Sequence, residues 1–405
     1  MNPEMARLNP YPFEKLAVLF EGITPNGALS PLNISIGEPK HPTPAFVTQR
    51  MMEALQDGDM AKYPTTRGER ALRESMAAWL TRRFELQAGS VDPDRHVLSA
   101  NGTREAIFSV ALAVVDRAKG GVVLTPNPFY QIYEGACFMA GVEPVHIDAT
   151  EETHLRPPFT QLDAELLART QMVYLCSPSN PTGAVHPLEE LQELIRLADT
   201  YDFVICADEC YSEIWYDAPP PGLLQACAAM GRHDFARCLV FHSLSKRSNM
   251  PGARTGFIAG DAQLLDHYFK LRTYTGCATP PFIQKAAIAA WDDEQHVEEN
   301  RRAYRAKLEE SMAILSPVLP VTRPEASFYL WLKVPGGGAL FARTLYEKYN
   351  VVVLPGGYLG RQGAHGNPAD GYIRIALVAT LEQNREAMHR IAQCAQEMIG
   401  QSQAV

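Results

Sequence analysis

The chain reads as an α/β protein whose first and larger part is built on a mostly parallel, buried sheet. Short β-branched runs recur at Val122–Leu124, Met172–Cys176, Phe203–Ala207, Cys238–Phe241 and Gly256–Ala259, separated by helical patterns such as Pro187–Thr200. That alternation is the signature of βαβ units. Past about residue 280 the texture changes: a long charged helix is expected from Glu294 to about Ile314. Strands near Phe328–Leu332, Val351–Leu354 and Tyr372–Leu377 follow it, an α+β second domain. A length of 405 residues, with 46% hydrophobic and 20% charged, suits a soluble protein with more than one domain.

In chain order, residues 1–45 are rich in Pro, Asn and Gly and read as an irregular arm. Residues 46–280 form the large domain and 281–405 the small C-terminal one. His96–Leu98 is an apolar strand, and Ala106–Val115 a helix entered through Asn101-Gly-Thr-Arg-Glu105. Net charge is −9 and no basic tract breaks the trend, which argues against a nucleic-acid partner. The start has no apolar run behind a basic one, and no stretch of about 18 apolar residues is long enough to span a membrane. The cysteines (137, 176, 206, 210, 227, 238, 277, 394) form no C-x-x-C pair and read as reduced core residues of a cytoplasmic protein.

The chemistry concentrates at strand ends, where open α/β sheets collect ligands. Ser243-Leu-Ser-Lys246 follows the run Cys238–Phe241, and Arg254 lies eight residues on. An amine at a strand end among hydroxyls and an arginine suits a Schiff base with a phosphorylated aldehyde, which points to pyridoxal phosphate. A lone strand-end lysine is usually just solvated; Ser243, Ser245 and Arg254 reverse those odds. Asp208 directly follows Phe203–Ala207, where an acid is costly unless paired. A pyridinium would pair it, although a helix N-cap is the plain alternative. Tyr211, three residues later, could donate to the phenolic oxygen. Asn180, in the tight S-P-S-N-P-T-G loop, could serve both that oxygen and a substrate carboxylate, although by itself the loop is only a turn signal.

Gly102 and Thr103 open a helix, where backbone N–H groups bind phosphate. Tyr130 is a stacking candidate, with Tyr133 and Phe129 as rivals and core packing as the plain reading of all three. Arg374 places a charge inside the alternating apolar strand G-Y-I-R-I-A-L; a carboxylate ligand explains it as well as a structural ion pair does.

In this order, with Gly37 and Tyr63 ahead, these residues resemble the class I/II pyridoxal-phosphate-dependent aminotransferases, from about residue 30 to 380. The resemblance implies the pyridoxal-phosphate-dependent transferase fold: a mixed, mainly parallel seven-stranded sheet between helices, and a smaller α+β domain that takes in residues from both termini. It also implies a homodimer with shared active sites, in which Tyr63 reaches the partner's phosphate. Lys246, Asp208 and Tyr211 become catalytic. Gly102, Thr103, Tyr130, Asn180, Ser243, Ser245 and Arg254 join them and Tyr63 in binding the cofactor, while Gly37, Asn180 and Arg374 hold the substrate carboxylate. LNPYPFEKL, ISIGEPKHP, AKYPTTRG and PEASFYLWL resemble the succinyldiaminopimelate aminotransferase subgroup. That implies ping-pong transfer between L-glutamate and N-succinyl-2-amino-6-oxopimelate. Aspartate- or alanine-type transamination and C–S β-elimination are the alternatives on the same scaffold. A pyridoxal-phosphate-binding transcription regulator would need a helix-turn-helix domain ahead of the aminotransferase part, with only about 30 residues there. No second arginine matches a distal-carboxylate clamp; Arg7, Lys15, Lys40 and Arg361 are the cationic candidates.

Overall fold

The computed structural model describes residues 2–363 and 365–403. The arm enters through a short helix, Pro12–Leu19, rather than irregular chain. Pro12 stands at its first turn, and the Glu14 carboxylate accepts from the Tyr11 backbone N–H at 3.0 Å, so a proline-rich segment still caps a helix. A two-residue strand, β1 (Leu32–Asn33), follows.

Seven strands make the large sheet: β2 (Val97–Ala100), β3 (Val122–Asn127), β4 (Glu143–Asp148), β5 (Thr170–Cys176), β6 (Val204–Asp208), β7 (Cys238–Ser243) and β8 (Gly256–Gly260). Their order is β2-β8-β7-β6-β5-β3-β4, with β8 antiparallel to both neighbours and the other pairs parallel. Successive residues face opposite layers, as the pleat requires. Ile205 and Ala207 pack with Leu191, Leu194, Trp79 and Trp291 on one side, while Cys206 joins Ile107, Val110 and Tyr133 on the other. Both faces of the inner strands are covered, which is why runs such as Val173–Cys176 and Ile205–Ala207 are apolar. Helix Pro281–Asp292 belongs to the first layer, with Ala286, Ala287, Ala290 and Trp291 in that core.

β2 is antiparallel to β8 and β8 to β7, so β2 runs the same way as β7. The carboxyl ends of β2, β5, β6 and β7 and the entrance to β8 therefore share one edge of the sheet. Asn101–Thr103, Asn180, Asp208, Ser243–Lys246 and Arg254 all leave from that edge.

A second body packs β9 (Tyr329–Lys333), β11 (Leu354–Pro355) and β12 (Tyr372–Ala376) as an antiparallel sheet in the order β11-β12-β9. Its helices are Gln295–Leu315, Gly338–Tyr349 and Leu381–Gln403. The run Val351–Leu354, expected as one strand, divides: β10 (Val351–Val352) pairs in parallel with β1, and β11 turns to β12. Ile373 and Ile375 enter this body's core, whereas Tyr372 packs with Leu354 and Trp331 on the opposite face. Arg374 shares that opposite face by the strand's alternation. Among the described residues no helix is long and apolar enough to cross a membrane.

Candidate active site

A cavity of about 600 Å³ lies between the sheet edge, the second body and the N-terminal helix. Eleven of the thirteen residues singled out from the sequence line it: Gly37, Thr103, Tyr130, Asn180, Asp208, Tyr211, Ser243, Ser245, Lys246, Arg254 and Arg374. Gly102 stands just behind the wall, and Tyr63 lies apart from it, fully exposed.

Lys246 sits in the single turn Leu244–Arg247 that follows β7. The Ser243 hydroxyl caps that turn, accepting from the Ser245 backbone N–H at 3.1 Å and donating to the Ser245 hydroxyl at 2.9 Å. The Lys246 ammonium donates to the Gly37 carbonyl at 2.5 Å and faces the rings of Phe328 and Tyr211. Burial among these groups lowers its pKa from 10.5 to about 8, which makes the amine a far better nucleophile near neutrality. Gly37 has to be glycine here, because a Cβ would collide with the Tyr329 hydroxyl.

Asp208 ends β6 inside the protein. Its carboxylate accepts from the Tyr133 hydroxyl at 2.9 Å and from the Cys210 backbone N–H at 3.2 Å. Burial nevertheless pushes its pKa up, against those two hydrogen bonds. No cation pairs with it among the described residues, so it presents an unsatisfied demand for positive charge to the cavity. Tyr133, a rival for the stacking role, instead anchors this acid from below, with its ring stacked 4.8 Å from Tyr174.

The phosphate candidates converge on one corner. Gly102 caps helix Thr103–Val114 at φ +78°, a conformation that favours glycine, and any Cβ there would strike the Arg254 guanidinium. Arg254 is anchored by one bond from its Nη1 to the Pro251 carbonyl at 2.9 Å. A helix N-terminus, the hydroxyls of Thr103, Ser243 and Ser245 and a guanidinium around a glycine cradle fit a phosphate.

Arg374 lies 5% exposed at the second body's edge of the cavity. It donates to Asn180 Oδ1 at 3.0 Å and to the Ser35 carbonyl at 2.9 Å, above the Tyr329 ring at 4.4 Å. Tyr211 and Tyr329 share a hydrogen bond of 3.1 Å beneath it. Burial raises the Tyr211 phenol well above its ordinary range, which keeps it a donor.

Arg104, inside the segment read only for phosphate binding, also lines the cavity. Its Nε donates to the Tyr130 hydroxyl at 2.5 Å and its Nη2 to Tyr11 at 3.2 Å. None of the four cations proposed for a distal carboxylate lines the cavity. Arg7 is tied to Glu143 and Glu4, and Arg361 is held by both oxygens of Glu134 at 2.8 and 2.6 Å. The signal that could have singled out Arg104 is a charge one position past Thr103, the threonine read for phosphate, on the same rim of the cavity.

An α/β layer whose sheet edge offers a desolvated lysine, an unpaired buried acid and a phosphate cradle defines a pyridoxal-phosphate-dependent transferase. Among these the chain belongs to the family of aminotransferase class I and II, whose model matches residues 30–391. An aminotransferase from Neisseria meningitidis has a TM-score of 0.92 and 44% identity, covering 98% of this chain and 100% of that one. One from Helicobacter pylori has a TM-score of 0.88 and 37% identity, covering 96% and 99%. LL-diaminopimelate aminotransferase 2 of Nostoc sp. is 34% identical over 393 residues, 96% of each chain. The protein is thus an aminotransferase, and its family works with pyridoxal phosphate.

Proposed function

We propose that the protein transfers an amino group between L-glutamate and N-succinyl-2-amino-6-oxopimelate, in the biosynthesis of diaminopimelate and lysine. The observation that carries this reading is a pair of cavity guanidiniums, Arg374 and Arg104, without a carboxylate partner among the described residues. Two such groups in one site suit dicarboxylic substrates in both half-reactions. Arg374 and Asn180 take the α-carboxylate, and Arg104 takes the distal one.

Pyridoxal phosphate, when bound, withdraws electrons from the substrate α-carbon. Gly102, Thr103, Ser243, Ser245 and Arg254 are assigned to its phosphate, Asp208 to its ring nitrogen, Tyr211 and Asn180 to its phenolic oxygen, and Tyr130 to its ring face. Lys246 takes the proton from the substrate α-carbon and returns it on the other side of the exchange; an amine titrating near 8 can do both. Arg374 and Asn180 fix the carboxylate so that the breaking C–H bond stands toward Lys246. Tyr63, exposed on this chain, is assigned to the phosphate of a second copy in a homodimer. The large domain is taken to run on through Asp292, because helix Pro281–Asp292 packs in its core.

LL-diaminopimelate itself is the second reading. It is favoured by relatives that carry that substrate's name, including one from Gloeobacter violaceus, 35% identical over 372 residues. Glu38 at the cavity could meet its distal ammonium. The discriminating experiment runs the reaction backward, with 2-oxoglutarate and either N-succinyl-LL-diaminopimelate or LL-diaminopimelate, and measures glutamate formed. A kcat/KM at least about tenfold higher for the succinylated amine supports the first reading, and the reverse ratio establishes the second. Pyruvate and ammonia released from a cysteine conjugate, with glutamate formed from neither amine, would establish β-elimination instead.

A further inference from the structure

The turn that carries Lys246 is held from behind by a polar chain that transamination as described leaves unused. His41, in the segment just after Gly37, lies with its ring 4.6 Å from that of Tyr304. Its Nδ1 is 2.7 Å from Asn300 Oδ1, and its Nε2 is 2.7 Å from Lys307 Nζ. Asn300 Oδ1 also accepts from Asn249 Nδ2 at 3.1 Å, and Asn300 Nδ2 donates to the Lys246 backbone carbonyl at 3.3 Å. Asn249, Asn300 and Lys307 are all buried.

Only one direction satisfies every link. An ammonium has no lone pair, so Lys307 donates and His41 Nε2 accepts. The ring proton then resides on Nδ1 and is donated to Asn300 Oδ1, which leaves the Asn300 amide nitrogen as the donor to Lys246. The arrangement holds with one positive charge shared between His41 and Lys307, and a second proton on His41 would set N–H against ammonium. Lys307 is the charged group that faces His41, and among the described residues no carboxylate pairs with either. Burial lowers the pKa of both, Lys307 to about 8.

Lys246 is therefore gripped twice, at its amine by Gly37 and at its backbone carbonyl by Asn300, and His41 belongs to the segment of one grip while bonding the other. We propose that His41 and Asn300 are positioning residues: they lock the Gly37 segment to helix Gln295–Leu315 and so set where the Lys246 amine stands. This rests on the reading of Lys246 as the cofactor-bearing proton carrier.

The test uses the holoenzyme and three variants. H41F keeps a ring against Tyr304 and removes both hydrogen bonds. H41Q keeps one acceptor and one donor. The double variant H41F/K307M also removes the stranded ammonium. Melting temperature, the pH titration of the visible absorbance of lysine-bound cofactor, and the single-turnover rate with L-glutamate are measured. H41F is expected to lose about tenfold in rate and to shift the titration midpoint by about one pH unit. H41Q recovers most of both. The double variant recovers the melting temperature and keeps the slow rate and shifted midpoint. A rate and midpoint that return together with the melting temperature in the double variant, or that never change in H41F, overturn the proposal. A native holoenzyme without a lysine-bound chromophore overturns the reading of Lys246 itself, before any substitution is made.

Discussion

Arg374→Ala separates substrate binding from scaffold. The guanidinium makes two hydrogen bonds, to Asn180 and Ser35, and meets no carboxylate among the described residues. A substrate carboxylate would gain charge-assisted bonds of about 1.5–3 kcal/mol each. Two of them, less the desolvation of the incoming anion, leave about 3 kcal/mol, or roughly two orders of magnitude in affinity. The glutamate concentration needed for half-maximal conversion should therefore rise about a hundredfold. Cofactor affinity should stay within about threefold, since no phosphate-corner residue bonds to Arg374. The assay is the glutamate dependence of the single-turnover spectral change, with cofactor titration and thermal melting alongside. Loss of fold in Arg374→Ala, with Arg374→Lys folded and unaltered toward glutamate, would show that the arginine is a structural cation and refute the reasoning.

Lys246→Ala should abolish turnover and the lysine-bound chromophore; borohydride trapping of cofactor on another lysine would move the assignment. Tyr133→Phe removes the hydroxyl bond to the Asp208 carboxylate, worth about 1.5–3 kcal/mol, and should slow the glutamate half-reaction about tenfold or more; unchanged rates would mean that Asp208 holds its charge without it. In the apoprotein, the rate of cofactor recapture should climb with pH and level off above about 8, where the Lys246 amine is already neutral. A rate still climbing toward the ordinary lysine value would contradict that lowered pKa. The same group adds stability as pH rises from about 8 toward 10.5, because there the unfolded chain binds the proton that the native amine has released. Glu134 acts with the same sign in a lower window: burial raises its carboxyl, but bonds from His146 and Arg361 overcome this and bring it to about 2. Its contribution is complete above the ordinary value of 4.5 and is lost as pH falls toward 2, so Glu134→Gln should flatten the acid limb of a melting profile over that window.

The strands of the large sheet were legible because parallel strands covered on both faces are apolar without interruption, and they stood within a few residues of the expected runs. β4 escaped because it is an edge strand, half exposed, with Pro144, His146 and Asp148 breaking any apolar run. The site residues that sequence exposed share one property: Asp208, Lys246 and Arg374 place charge where an apolar run makes charge costly. Tyr133, Tyr329 and Arg104 gave no such signal. A tyrosine on an apolar helix face reads as core until the fold aims its hydroxyl at an acid, and Arg104 lay in a segment already explained by phosphate. His41 was invisible for the same reason, since its meaning comes from helix Gln295–Leu315, far away in the chain.

The parallel pairing of β1 with β10 joins Leu32 to Val351 and Asn33 to Val352. A ribosome delivering this chain releases Leu32 long before its partner exists, so the contact closes late and at high contact order. Until then the β1 end of the segment that leads to Gly37 is without its strand partner, and Gly37 is what receives the Lys246 amine. All seven strands of the large sheet precede β10, so that sheet can form on the nascent chain before the β1–β10 pairing closes. A chain truncated before β10 should therefore fold its sheet yet leave β1 unpaired and the Gly37 carbonyl less firmly set against the Lys246 amine.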